Sequence, residues 1–189
     1  MALSESPPEK QASPPLYLVQ RFVNSVDLET GEDELNSPEA LRRWLAEREL
    51  MGPRQKVTEA DLRRALDVRE GLRAVLLTNN GLPLDEERVR RLDRAVSRAG
   101  VRVRFRPGHE PELVPDAEGV DGAIARLMAI VAAAVEHGRW PRLKACPREG
   151  CHWAFFDRSK NLSGRWCLME VCGNIEKARA FRARQREGS

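Results

Sequence analysis

The sequence is poor in the residues that most often carry chemistry. It has three histidines, one tyrosine and four cysteines among 189 residues. It contains no Gly-rich phosphate loop, no nucleophile–base pair and no metal-hydrolase motif, so nothing in it points to an enzyme. No stretch approaches the ~18 apolar residues that a membrane span needs. The most apolar segment, AIARLMAIVAAAVEHG, carries Arg126 within it and reads as a buried helix. Residues 1–15, MALSESPPEKQASPP, have no apolar run and no cleavage-like segment; they are expected to form a disordered leader, not a signal peptide. Together these absences point to the cytoplasm, a reducing setting in which paired cysteines more often hold metal than cross-link.

What is present is ample material for a helical core, with 41% hydrophobic and 32% charged residues. Helical spacing begins at Leu16 and continues through Val19, Phe22/Val23 and Val26. A second helix opens with Ser37 as N-cap and Pro38 at its first position, and Gly52 closes the segment. A third starts on a Thr58–Asp61 capping box and stops at Asn79-Asn80-Gly81; Gly71 sits within it at a cost of about 1 kcal/mol against alanine. A fourth helix is expected over Glu86–Ala99 and a fifth over Val120–His137, the latter with Ile124, Leu127/Met128, Val131 and Val135 inward. Between them the period changes to two in VRVRFRPGHEPELVP, a hairpin near 101–115 that must pack on the helices to persist. Asn24 and Asp27 read as helix-terminating polar residues, or as the edge of a small-ligand pocket.

All four cysteines lie between residues 146 and 172, as Cys146/Cys151 and Cys167/Cys172, each pair with the same four-residue interval. Two such turns can place four sulfurs on one zinc ion, about 2.3 Å from each. Two intrastrand disulfides, or unligated thiols, are the alternatives. A module this small needs a staple, and four thiolates leave no open position for a substrate, so the ion would be structural. His152 adjoins a ligand, but four sulfurs already fill the shell. His109, in the hairpin turn, and His137, at a helix end, read as solvated or capping groups. HWAFFD reads as a strand, SKNLSG as a polar turn and RWC as the returning strand.

The formal charge of +3 hides an asymmetry: residues 139–189 carry 12 basic and 5 acidic residues, and six of the ten aromatics. Even after thiolates on Zn2+ absorb part of this charge, cations remain in excess. Asn174 is expected to N-cap a last helix, on which Arg179, Arg182 and Arg186 share one face and Lys177 and Arg184 another. Ile175, Ala178 and Phe181 form a strip that could dock on the zinc unit. Arg158, Lys160 and Arg165 in the central turn extend the basic surface. This is the footprint expected for a polyanion; a plain solvated face and a protein partner are the alternatives for the arginines. Trp153, Phe155 and Phe156 serve either as base-stacking surfaces or as the cover of the zinc site.

The pattern C-x4-C…DRS…RWC-x-M-x-x-CGN resembles the CGNR-type zinc finger of bacterial proteins. Asp157-Arg158-Ser159, Arg165-Trp166-Cys167, Met169 and Cys172-Gly173-Asn174 carry the likeness. FVNSVDLETGEDELNSPEALRRWL resembles the helical domain that precedes that finger, with Asn24-Ser25 where relatives often have Asn-Thr. The resemblance implies zinc ligation by Cys146, Cys151, Cys167 and Cys172, and a stress-responsive transcription regulator with a nucleic-acid role, either DNA or RNA. One departure is Ile175, which stands where the family signature has Arg. If that Arg touches phosphate, Arg179 or Lys177 must replace it here; if it braces the fold, Ile175 can do so by packing.

The expected architecture is therefore mainly α. A leader over 1–15 precedes a helical domain over 16–138 with one inserted hairpin. A zinc-ribbon-like module with four cysteine ligands and a basic C-terminal helix occupies 139–189. The expected partner is nucleic acid, DNA before RNA, contacted by Arg158, Lys160, Arg165, Lys177, Arg179, Arg182, Arg184 and Arg186. The helical part would sense or dimerise. The sequence leaves open a homodimer, a small-molecule effector and an adaptor role in which zinc is only a staple.

Overall fold

A computed structural model describes residues 6–187. Six helices dominate the described residues: α1 (Leu16–Val23), α2 (Pro38–Glu47), α3 (Glu59–Thr78), α4 (Glu86–Val96), α5 (Gly119–Glu136) and α6 (Asn174–Glu187). Two antiparallel ribbons complete the fold, β1 (Val101–Arg104) with β2 (Glu112–Pro115) and β3 (Leu143–Ala145) with β4 (Ala154–Phe156). The fold is mainly α, as expected. Among the described residues no helix is long and apolar enough to cross a membrane.

Local chemistry sets the helix starts. Ser37 accepts from the Ala40 N–H at 3.1 Å, and the Thr58–Asp61 capping box is reciprocal, with both side chains bonded to the other's backbone N–H. The expected ends shift by a few residues. Helix α4 stops at Val96, and α2 stops at Glu47, with Glu49 in the left-handed region (φ 56°). Gly71 has a packing reason: a Cβ there would lie 2.5 Å from the Leu92 Cβ, so its absence lets α3 and α4 close on each other. Val135, expected inward on α5, is exposed.

Helix α3 is the spine of the helical part. Leu62, Ala65, Val68, Leu72 and Leu76 bury one face against α1, α2 and α5. Arg69 and Arg73 sit on the same side, both buried. Arg69 grips Asp33 at 2.8 and 2.9 Å and the Ser25 hydroxyl at 3.2 Å. Arg73 places both terminal nitrogens on the Val23 carbonyl, at 2.8 and 3.1 Å, and burial holds its pKa down to about 10. These bonds fix the loop after α1, which matters below. The β1–β2 ribbon has the expected turn, and it survives because β2 lies on α5; β1 is exposed along its length.

The hydrophobic core does not stop at Gly138. Leu143, Ala145, Ala154 and Phe156 belong to the same buried cluster as the helices. Three side chains rivet this seam. Asn24 donates to the Ala154 carbonyl at 2.8 Å and accepts from the Ala154 N–H at 2.7 Å, acting as one more rung on the edge of β4. Asn79 donates to the carbonyls of Trp140 and Leu143, and Asn80 to those of Ala145 and Arg165. The segment expected as a disordered leader is, over residues 6–15, packed into the same seam; residues 1–5 lie outside the described residues. Gln20 holds it by accepting from Ala12 N–H and donating to the Lys10 carbonyl, and Trp153 Nε1 donates to the Ser6 hydroxyl. Its few apolar residues, such as Ala12, find a slot that a composition argument does not reveal.

Replacing Asn24 with alanine leaves the buried N–H and carbonyl of Ala154 with reduced pairing. Each such loss costs about 1–3 kcal/mol, so we expect Asn24→Ala to lower unfolding stability by about 2–4 kcal/mol in a urea titration.

Candidate metal centre and basic helix

Each pair of cysteines reaches the centre from a different kind of turn. Cys146 follows directly on β3, and its N–H donates to the Trp153 carbonyl at 2.9 Å. The chain then reverses through Pro147–Gly150, with Gly150 at φ 77°, and Cys151 N–H closes on the Arg148 carbonyl at 3.0 Å. Cys167 follows an extended run, and Cys172 sits in a π-helical turn over Met169–Gly173 that continues directly into α6. Gly173 is required for room: a Cβ there would lie 2.4 Å from the Met169 sulfur and 3.1 Å from Trp166.

The sulfurs converge. All four lie within 4.8 Å of one another, with Cys151–Cys167 at 3.6 Å, Cys167–Cys172 at 3.5 Å and Cys172–Cys151 at 3.7 Å. A disulfide needs about 2.05 Å, and all four thiols are free. A tetrahedron with metal–sulfur bonds of about 2.3 Å has edges of about 3.8 Å, so the donor set fits a tetrahedral thiolate-preferring ion. The thiol chemistry agrees. Hydrogen bonds from Cys151 and Cys167, helped by the backbone N–H groups of Cys167 and Arg148, draw Cys146 down to about 4. The same contacts with Cys146 and Cys151 push Cys167 far up, because clustered sulfurs cannot all ionise without a cation among them. His152, the alternative ligand, is not part of the cluster; burial and the nearby Arg73 hold its pKa down.

One cation at the centre was not foreseen. Arg148 donates from Nε to the Cys172 sulfur at 3.1 Å and from Nη2 to Glu29 at 2.6 Å. Glu29 sits in the turn after α1, whose geometry Asp27 sets by accepting from the N–H groups of Glu29 and Thr30. Arg148 was visible as a cation between two cysteines, but its carboxylate partner is 119 residues away.

The residues between the pairs build a scaffold. Phe155 is fully buried against Cys146, Cys167 and Cys172, and Phe156 is buried in the helical core. Phe155 thus covers the centre and Phe156 fills the core, and neither is free to serve as a stacking platform. Strand β4 pairs with β3, which precedes Cys146; RWC, expected as the returning strand, forms no strand. Asp157 and Ser159 of the DRS motif are turn-makers. Lys144 spends its three donors on Asp157 (2.8 Å) and the carbonyls of Leu162 and Gly164, while Asp157 also accepts from the N–H groups of Ser159 and Gly164. Burial works against the Asp157 charge, but the bonds from Lys144 and Ser159 prevail and hold its pKa at about 2.

The expected nucleic-acid contacts fall into two groups. Arg158 lies over the Phe156 ring and donates to the Gln11 carbonyl at 2.8 Å, Arg165 lies over Trp166, and Lys160 is exposed in the turn. Lys177, Arg179, Arg182, Arg184 and Arg186 are all exposed on α6. Arg179 pairs with Glu176 at 3.2 Å, and Arg182 Nε donates to the Ala178 carbonyl at 3.2 Å. Two expectations fail here. Asn174 is helical and bonds back to the Glu170 carbonyl, so the π turn, not an N-cap, starts the helix. Ile175 and Phe181 are 39% and 56% exposed, so the apolar strip does not dock on the module.

Asp157 is ionised in the fold well below its ordinary value of 3.8. It therefore contributes stability at neutral pH that is lost as pH falls from about 3.8 towards about 2. Acid titration followed by tryptophan fluorescence should show a transition in that window. Asp157→Asn, which strands the buried Lys144 charge, should be destabilised at pH 7 by about 3–5 kcal/mol and should lack that acid step.

A family model for the CGNR zinc finger matches residues 142–185. A second, described as "Putative stress-induced transcription regulator", matches residues 17–139. No curated protein matches the chain. With the larger part of its length matched by the second model and its four-cysteine centre inside the finger, the chain belongs to the family described as "Putative stress-induced transcription regulator", with a CGNR zinc finger at residues 142–185.

Proposed function

We propose that the protein is a zinc-dependent, DNA-binding transcription regulator of the cytoplasm. Zn2+ would be held by Cys146, Cys151, Cys167 and Cys172, and it would supply cross-linking rather than catalysis, since four thiolates leave it no position for a substrate. The observation that carries the reading is α6. It is a helix of 14 residues with five cations, rooted at Cys172, and Glu176 alone among its described positions is partly covered. A helix of that length is marginal in water without packing, and among the described residues no element packs closely on it beyond the π turn at its base. A polyanion supplies what it lacks.

The choice of DNA over single-stranded RNA rests on the aromatics. Phe155 and Phe156 are buried and Trp153 is tied to Ser6, so the strand that would offer a stacking platform for splayed bases is spent on the fold, and α6 carries a single exposed aromatic, Phe181. A helix about 21 Å long suits a major groove about 12 Å wide. Lys177, Arg179, Arg182, Arg184 and Arg186 would meet phosphates and base edges. Arg165 would extend that surface, whereas Arg158 is already engaged by the Gln11 carbonyl. A protein-adaptor reading draws on one observation, the exposed Met169, Val171, Ile175 and Phe181 at the root and flank of α6.

Metal analysis should return one zinc per chain, and a strong chelator should release it with loss of the structure around Trp153 and Trp166, read by fluorescence. Binding to a mixed pool of duplex DNA should weaken with salt at a slope of about −3 to −4 on log–log axes. Arg179→Glu with Arg182→Glu should reduce affinity by more than about tenfold while zinc content stays unchanged. Salt-independent binding, or capture of a protein partner with no affinity for DNA, would favour the adaptor reading.

A further inference from the structure

A cleft of about 540 Å³ opens between the start of α1 and the end of α2, away from the cysteine centre. Its walls are apolar, formed by Pro14, Pro15, Tyr17 and Leu18, and its polar groups are Arg21 and Arg48 with Glu47. The two guanidinium groups are unusually placed. Arg21 is only 9% exposed, and its Nη1 is buried with no hydrogen-bond partner among the described residues. Its Nη2 lies 3.5 Å from Glu34, a long contact to a carboxylate that also accepts from Trp44 Nε1 at 3.0 Å. Arg48 stacks 4.1 Å above the Trp44 ring and donates to the Trp44 carbonyl at 3.1 Å. Its contact to Glu47 is loose, at 3.5 Å, and that carboxylate faces solvent. Burial, and after it the neighbouring Arg21, hold the Arg48 pKa below its ordinary value.

Two guanidinium groups on the wall of one cleft, one of them with a buried donor that nothing pairs, are costly. An acceptor placed in the cleft, with a turn of the Arg21 side chain that uncovers Nη1, relieves both costs. We propose that the cleft binds a small monocarboxylate with an apolar body, its carboxylate on Arg21 and Arg48 and its body against Tyr17, Leu18 and the two prolines. The planar guanidinium matches a carboxylate edge, and the apolar walls select an organic acid over inorganic phosphate, which offers nothing to bury. Glu47 swings outward to admit the anion. The site lies on α1, whose far end carries the Asn24 clasp on β4, so occupancy acts on the helix that holds the zinc module. This effector role rests on the regulator reading; the binding site does not.

The test is a titration of the full-length protein with benzoate, hexanoate and decanoate, followed by NMR at the Leu18 methyls and the Arg48 Nε. Saturable shifts are expected for at least one acid, with benzamide, the neutral counterpart of benzoate, at least tenfold weaker. Arg48→Gln should weaken binding at least tenfold with the fold unchanged by circular dichroism, and Arg21→Gln should do the same; because Arg48 is half-buried, its variant keeps the test valid if Arg21→Gln fails to fold. No saturable shift with any of the three acids, equal binding of benzamide, or unchanged binding in Arg48→Gln would overturn the site. A carboxylate that binds here without altering DNA affinity would retain the site and remove the effector role. Charge reversal on α6 tests the DNA reading and leaves this titration untouched.

Discussion

Four sulfurs brought within 4.8 Å of each other are an electrostatic problem before they are a structure. Each is a potential anion, and the hydrogen bonds among them ease the ionisation of Cys146 while making Cys167 harder to ionise. A dication at the centre would remove the conflict, and Arg148, with Nε on the Cys172 sulfur, offsets part of the negative charge. The same constraint orients α6, because Cys172 lies in the π turn from which the helix springs. A sulfur that a metal would fix therefore sets the helix base, and among the described residues no other element packs closely on the rest of the helix.

The finger is joined to the helical part by polar side chains reaching backbone groups. Asn24, Gln20, Asn79 and Asn80 each satisfy carbonyls or an N–H on the finger side. An amide that pairs both the N–H and the carbonyl of one residue substitutes for a missing neighbour strand, which is how a ribbon as short as β3–β4 persists in water. The Arg148–Glu29 pair adds a charged link between the centre and the loop after α1, and Arg69 and Arg73 hold that loop from the other side. Helix α1 is thus bonded at its C-terminal end to the finger, while its Tyr17, Leu18 and Arg21 line the cleft.

Features governed by neighbours in the chain could be read from it. Ser37, the Thr58–Asp61 box and the Asn79-Asn80-Gly81 stop depend on contacts within four residues, and each lies where the pattern implied. The two cysteine pairs were legible because each sits on a local turn. Long-range pairings were not. Strand β3 is three residues long, and its alternation is too brief to register; its partner lies beyond the first cysteine turn. The Asn24 side chain has 130 residues between its position and its partner, and nothing local distinguishes it from an ordinary helix end. The order of residues 6–15 likewise depends on Gln20 and Trp153, which no composition rule can supply. The apolar strip of α6 fails for the opposite reason: its spacing suggested packing, but among the described residues only the π turn at its base packs closely on the helix.

That exposure decides what Ile175 does. As the replacement for an arginine in the resembling signature, it could brace the fold by packing or give up a contact to an anion. At 39% exposure on a helix that leans only on its own root, it braces little. Its position falls one turn before Arg179 and two before Arg182, on the face that also carries Arg186. A cation there would head that row; isoleucine shortens the row by one and sets an apolar side chain where it enters any groove the helix occupies. With Val171 and Met169 exposed just before it, the base of α6 becomes an apolar collar below a basic shaft. Such a division suits a surface that meets bases or a protein at the root and phosphates further out, and it shifts the burden of charge onto Arg179, Arg182 and Arg186.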